Sequence, residues 1–247
     1  MILFMNTENT SDLRSAILSK IEALLRANSL NQQLDLIDNI MTEGIFGQEA
    51  LLNFLIKRLK IDKLEPSHID GLLFQVLNKT NFNIIKKRLN FNFNSGIVEF
   101  SSELTLDYSD LQKLLIAQNF QQADKITQSY LCTLASLELQ DSKKRNWLYF
   151  TDIIKIPLSD LYTIDTLWRV YSGGKFGFSV QKRIWYSCNS NWEKLWYKIG
   201  WKKAGVACRY PSEFIWTLNA PDGHLPLFNQ LRGVQSLNAL FNRIINF

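Results

Sequence analysis

Three observations predict an all-α protein. Apolar residues recur at helical spacing throughout residues 11–90, which lays them along single faces of successive helices. The same spacing returns over residues 110–135 and 161–171. Gly44, Pro66 and Pro157 fall between these periodic stretches, where residues that end helices belong.

In chain order, Leu13, Ile17, Ile21, Leu24 and Leu25 share a first face, and Leu30, Leu34, Ile37 and Met41 a second that Gly44 is placed to end. Leu51, Leu52, Leu55, Ile56 and Leu59 make a third. Ile69, Leu72, Leu73, Val76 and Leu77 make a fourth, after Pro66. Residues 1–95 are thus expected to form a helical bundle or a stack of helix pairs. This part is aliphatic and nearly free of Trp and Tyr. The stretch NFNFNSG at 90–96 breaks the helical period and is the linker candidate.

A second domain is expected over residues 100–247. Two helices over 110–118 and 121–135 would bury Leu111, Leu114, Leu115, Ile126, Tyr130, Leu131 and Leu134. A polar segment at 140–146 leads to Trp147, Leu148, Tyr149 and Phe150 and a helix that Pro157 ends. Ser159 or Asp160 is placed to cap the next helix, whose stripe is Leu161, Ile164, Leu167, Trp168 and Tyr171. Residues 227–247 carry the longest C-terminal helical pattern. Short helices joined by long loops favour a cupped apolar cleft.

Bulk properties narrow the class. At 247 residues, with 46% hydrophobic and 21% charged residues, the chain can bury a core and is not of disordered composition. Its net charge of +5 suits anionic ligands, membrane surfaces or acidic protein faces. Cys132, Cys188 and Cys208 are odd in number and far apart, which argues against a disulfide framework or structural zinc and for a reducing compartment. No apolar run approaches the roughly 20 residues that span a bilayer, so membrane contact is expected to be peripheral. MILFMNTENT at the N-terminus lacks the features of a secretory signal or transit peptide. The chain is expected to work where it is made, and its abundant Asn, Ile, Lys and Phe are what an AT-rich genome would encode.

No catalytic constellation is visible, and the chain is expected not to be an enzyme. Asp124, Asp160 and Asp165 are scattered, and SGGK at 172–175 lacks phosphate-loop spacing. His68 is expected on a helix surface and His224 in a structural hydrogen bond. Residues 157–234 instead crowd aromatic and cationic side chains together, a composition suited to a flat, amphipathic, anionic ligand. A single-stranded nucleic-acid module is the alternative from composition, but no RNP-like strand motif is present and carboxylates dilute the cations. A protein adaptor using the N-terminal helices is a third reading.

Within this stretch, LYTIDTLW at 161–168, GFSVQ at 177–181, IGW at 199–201, GHLP at 223–226 and LRG at 231–233 occur in one order. Together they resemble the tetrapyrrole-binding proteins named "genomes uncoupled", of the fourth type, which assist magnesium chelatase. A weaker match surrounds Ala123 to Thr127. The resemblance implies binding of protoporphyrin IX and Mg-protoporphyrin IX, with no permanently bound cofactor. It further implies engagement of the large, porphyrin-binding subunit of the chelatase, in the plastid stroma with peripheral thylakoid or envelope contact, or in a cyanobacterial cytoplasm. Together with the AT-rich type of composition, the resemblance implies a plastid-encoded chain. Nucleic acid is not an expected partner.

The resemblance maps a pigment-binding arginine onto Arg232, beside Asn229. Arginine suits this task because its planar fork grips a carboxylate with two hydrogen bonds. A position often basic in the family, three residues on, is Gln235 here. Lys175 and Arg209 are the loop cations available to replace that charge. Tyr210 and Ile153 match positions lining the family's apolar cleft, and Phe150, Phe176 and Phe178 complete the expected floor.

Overall fold

The computed structural model describes residues 2–100, 102–103, 106–137, 147–227 and 234–244, with side chains from residue 12 onward except at 136 and 137. The fold is all-α, as the periodicity predicts, with one two-stranded ribbon. The chain divides into two units, Met1–Ile97 and Val98–Phe247.

The first unit runs through α1 (Ile2–Arg26), α2 (Leu30–Met41), α3 (Gly44–Ile56), α4 (His68–Asn78) and α5 (Asn83–Phe93). A π-helical turn, Lys57–Ile61, continues α3. Ile17, Ile21, Leu24, Ile37, Leu51, Leu52, Leu55, Leu73 and Leu77 are buried as their spacing predicts, while on α2 Ile40 is buried and Leu30, Leu34 and Met41 are half-buried. Leu25 is not; it lies about 100° around the helix from Leu24 and is exposed. Helices α2 and α4 start on side-chain caps: Ser29 Oγ accepts the Gln32 N–H, and Ser67 and Asp70 form a reciprocal capping box. Gly47 permits α2 and α3 to touch, since a Cβ there would lie 1.9 Å from the Ile40 carbonyl oxygen. The expected linker begins too early: α5 continues through Phe93, which is buried edge-on against Phe74 at 6.4 Å. Burial of Phe93 and Leu89 holds this Asn-rich sequence helical.

The second unit comprises α6 (Ser109–Ile116), α7 (Phe120–Leu137), α8 (Phe150–Ile153), α9 (Leu158–Tyr171), α10 (Phe178–Ser187), α11 (Trp192–Lys198), β1 (Lys202–Lys203), β2 (Val206–Ala207) and α12 (Val234–Arg243). β1 and β2 pair antiparallel, Lys202 opposite Ala207. Helix α9 is the central strut, with Leu161, Ile164, Leu167, Trp168 and Tyr171 fully buried. Two expectations fail here. The segment before Pro157 forms a single helical turn, and neither Ser159 nor Asp160 caps α9, because Pro157 occupies the cap position. Asp160 points inward and accepts a 2.5 Å bond from the Tyr108 hydroxyl. Of the C-terminal pattern expected over 227–247, the described helix is Val234–Arg243, with Leu237, Leu240 and Phe241 buried.

Candidate functional site

Buried polar side chains connect the second unit. Trp168 Nε1 donates to Thr127 Oγ1 at 3.0 Å and fixes α9 to α7. Asp165, fully buried, accepts from Arg169 Nε at 2.8 Å and from the Ser179 N–H and hydroxyl at 2.8 and 2.7 Å. Its charge therefore sits at the N-terminus of α10, where the helix dipole favours an anion. Gly177 makes the approach possible: its φ is +132°, and a Cβ there would meet Asp165 Oδ1 at 2.9 Å. Gln181 donates to the Gly223 and Pro226 carbonyls at 3.0 and 2.8 Å. The motifs at 161–168, 177–181 and 223–226 are thus joined to one another by buried hydrogen bonds.

His224 takes the structural task expected of it. Its Nδ1 lies 2.6 Å from the Ile199 carbonyl, and its Nε2 accepts the Ile215 N–H at 3.0 Å. Those bonds require the neutral Nδ1–H tautomer, and burial lowers the imidazole pKa in agreement. Both nitrogens are occupied, which removes His224 as an axial ligand. Among the described residues, no group of three or more His, Cys, Asp or Glu side chains is placed to hold a metal. Likewise, no described helix is long and apolar enough to cross a membrane.

The expected ligand-binding residues separate into groups. Phe176 and Phe178 are each 0% exposed. Phe176 is packed by Phe120 at 5.2 Å and Trp168 at 6.4 Å, so both phenylalanines lie in the core and present no surface. Ile153 is also fully buried, whereas Phe150, on the same short helix α8, is 49% exposed. Tyr210 is 43% exposed and meets Trp216 edge-on at 5.9 Å. Its loop braces itself: the Arg209 N–H donates to Glu213 Oε2 at 2.8 Å, and Trp216 Nε1 donates to the Pro211 carbonyl at 3.0 Å. Arg209 is exposed. Lys175 is partnered by Asp222 at 3.6 Å, and its backbone carbonyl accepts the Gly223 N–H at 2.7 Å. Asn229 and Arg232 lie outside the described residues.

What relates these positions is helix α7. Helix α8 packs against α7 and, more extensively, against α12. The Arg243 guanidinium of α12 donates to the Ile154 and Ile156 carbonyls at the end of α8. Asp124 of α7, 5% exposed, accepts the Leu227 N–H at 2.7 Å across 103 residues of sequence. Burial raises the Asp124 pKa to about 7. Burial also raises the Tyr210 phenol pKa, and the nearby Asp124 charge raises it further. Asp124 is therefore bonded to Leu227, five residues before Arg232 in sequence, and its charge reaches Tyr210. In the sequence Asp124 stands only as a scattered carboxylate inside the weaker family match at 123–127, and no local signal marks so distant a contact.

The comparisons agree with this architecture. The GUN4-like family model matches residues 101–244, and the ARM-like repeat domain found N-terminal in GUN4 proteins matches residues 9–94. The Ycf53 protein of Porphyra purpurea is 47% identical over 221 residues, covering 87% of this chain and 89% of its own. The chloroplastic tetrapyrrole-binding protein of Arabidopsis thaliana is 37% identical over 141 residues, covering 53% of this chain and 52% of its own. The solved GUN4 structure from Chlamydomonas reinhardtii superposes with a TM-score of 0.53 at 40% identity, covering 59% of this chain and 93% of that one. With one family model spanning more than half its length, the chain belongs to the GUN4-like family.

Proposed function

We propose that residues 100–247 bind tetrapyrroles, protoporphyrin IX and Mg-protoporphyrin IX, without transforming them, and that residues 1–95 are an adaptor scaffold. The carrying observation is that Phe150 and Tyr210 are about half exposed on two elements related through α7, in a unit whose buried polar groups are largely committed to structure. The name of the Arabidopsis relative supports the ligand class. Phe150 and Tyr210 supply apolar floor, while Ile153, Phe176 and Phe178 are buried in the core of the same unit. Arg232 and Asn229 bind a propionate at the rim. Lys175 and Arg209 are secondary cations that offset Gln235, Lys175 at the cost of releasing Asp222.

Covering about 400 Å² of apolar ligand at ~25 cal/mol/Å² yields ~10 kcal/mol. A charge-assisted bond to a propionate adds about 2 kcal/mol, and association costs about 4 kcal/mol. The balance of ~8 kcal/mol corresponds to a Kd near micromolar, the affinity of a carrier. Such a carrier speeds magnesium insertion by supplying porphyrin to, or removing product from, the large subunit of magnesium chelatase. It acts in the plastid stroma with peripheral membrane contact. The test is a fluorescence-quenching titration with deuteroporphyrin IX and its magnesium form, beside an oligonucleotide control. Saturable porphyrin binding near micromolar, weakened in a folded Arg232→Ala variant, is the expected result. Salt-sensitive oligonucleotide binding without porphyrin binding overturns it.

A further inference from the structure

We propose that the groove between α1 and α3 of the first unit binds an amphipathic, acidic helix of a partner protein. The inference rests on the adaptor reading of residues 1–95 and gives that scaffold a surface and a ligand. Arg14, Ile17, Leu18 and Ile21 recur at i, i+3, i+4 and i+7 on α1. Phe46, Ala50 and Phe54 share one face of α3, which Lys57 continues at the start of the π-helical turn. The two stripes line a single groove of about 500 Å³. Ile17 and Ile21 are buried at its floor, while Leu18 and Phe46 are 60% and 47% exposed at its rim. Open apolar side chains beside a buried apolar floor are what a groove offers to the apolar face of a helix.

Charge and shape choose the occupant. Glu49 on the groove is already neutralised: its carboxylate accepts from Arg88 Nη1 at 2.9 Å, and the same guanidinium donates to Asn53 Oδ1 at 2.8 Å. Arg14 and Lys57, both exposed, have no ion-pair or hydrogen-bond partner among the described residues. The unmet charge of the groove is therefore positive, and its complement is a partner carrying carboxylates. A second copy laid face to face brings only the same two cations. The stripe from Arg14 to Ile21 runs about 10 Å and that from Phe46 to Lys57 about 16 Å, the length of two to three helical turns. A helix satisfies its own backbone, whereas an extended peptide needs a strand edge to pair with. Among the described residues the first unit has no strand.

The test uses the full chain and a fluorescein-labelled peptide stapled as a three-turn helix, read by fluorescence anisotropy. It carries leucines at i, i+3, i+4 and i+7 with glutamates flanking them. A second peptide has lysines for the glutamates, and a third scatters the leucines around the helix. Wild type should bind the acidic peptide about tenfold more tightly than the lysine peptide, and the scattered peptide most weakly. Arg14→Glu combined with Lys57→Glu should reverse the preference for acid. Phe46→Asp should weaken the acidic peptide about tenfold. Arg14, Phe46 and Lys57 are exposed, so these variants should keep the wild-type helicity. Their deuteroporphyrin Kd should stay within about twofold, which separates this result from porphyrin binding. Equal binding of the glutamate and lysine peptides overturns the acidic partner, and a wild-type dimer that Phe46→Asp dissociates overturns it in favour of a second copy. Peptide binding that neither variant changes overturns the groove and leaves the adaptor reading intact. No saturable binding of any peptide to wild type overturns both.

Discussion

Two loops of the second unit carry similar residues and do opposite things. The segment around Lys175, Phe176 and Gly177 is bonded to residues 221–226: the Gly223 N–H reaches the Lys175 carbonyl and the Gly177 N–H reaches the Leu225 carbonyl. Its aromatic side chain is driven into the core between Phe120 and Trp168. The loop around Arg209 and Tyr210 is braced largely by its own Glu213 and Trp216 and leaves Tyr210 exposed. An aromatic residue beside a cation is thus either packing or recognition surface. What decides is whether the flanking backbone finds a partner elsewhere in the fold.

The largest difference between the loops should be in stability. Phe176→Ala removes a fully buried ring and should cost about 3–5 kcal/mol in urea unfolding. Tyr210→Ala removes a half-exposed one and should cost under about 1 kcal/mol. Equal losses would mean that the two loops are packed alike.

Asp124, bonded to Leu227, should give the next largest effect through pH. Its pKa rises from 3.8 to about 7 on folding, so the native state holds a proton that the unfolded chain has released. Its contribution to stability is full below about pH 4, declines as pH rises towards 7, and stays lost above that. The shift corresponds to at most ~4 kcal/mol. Asp124→Asn escapes this loss and should be more stable than wild type at pH 8 and about equal at pH 4, by thermal unfolding. A constant difference across that range would assign the ionisation elsewhere.

Binding should reverse the ranking. Tyr210→Ala should weaken deuteroporphyrin binding about five- to tenfold, or 1–1.4 kcal/mol. Conservative Phe176→Leu, which keeps most of the core volume, should leave the Kd within about twofold. A larger effect from Phe176→Leu would return Phe176 to the ligand surface.

The same contrast explains what was legible in the sequence. Helices whose core comes from one repeating face were readable from residues such as Ile21, Ile37, Leu51 and Leu55, because burial follows directly from the 3.6-residue period. Where long-range polar bonds choose the conformation, the sequence was silent. Asp160 has the right type and position for a cap and is instead claimed by Tyr108. Phe176 and Tyr210 look alike in composition, and only their backbone partners separate them. Asp124 meets Leu227 across more than a hundred residues, a contact that no local pattern records.

The smallest effect on stability isolates the backbone itself. The Lys175 ammonium stands 3.6 Å from an Asp222 carboxylate whose side chain is 69% exposed, and such pairs contribute little. Lys175→Ala should therefore change stability by less than about 0.5 kcal/mol. The loop should keep its shape, because the bonds holding it run from the Gly223 and Gly177 amides to the Lys175 and Leu225 carbonyls and survive loss of the side chain. Hydrogen exchange on the free protein separates the two contributions. The Gly177 and Gly223 amides should stay protected in both wild type and variant, while amides of the Tyr210 loop that lack a partner exchange early. Rapid exchange at Gly223 in the variant alone would show that the ion pair, not the backbone ladder, holds this loop closed, and the distinction between the two loops would then rest on charge.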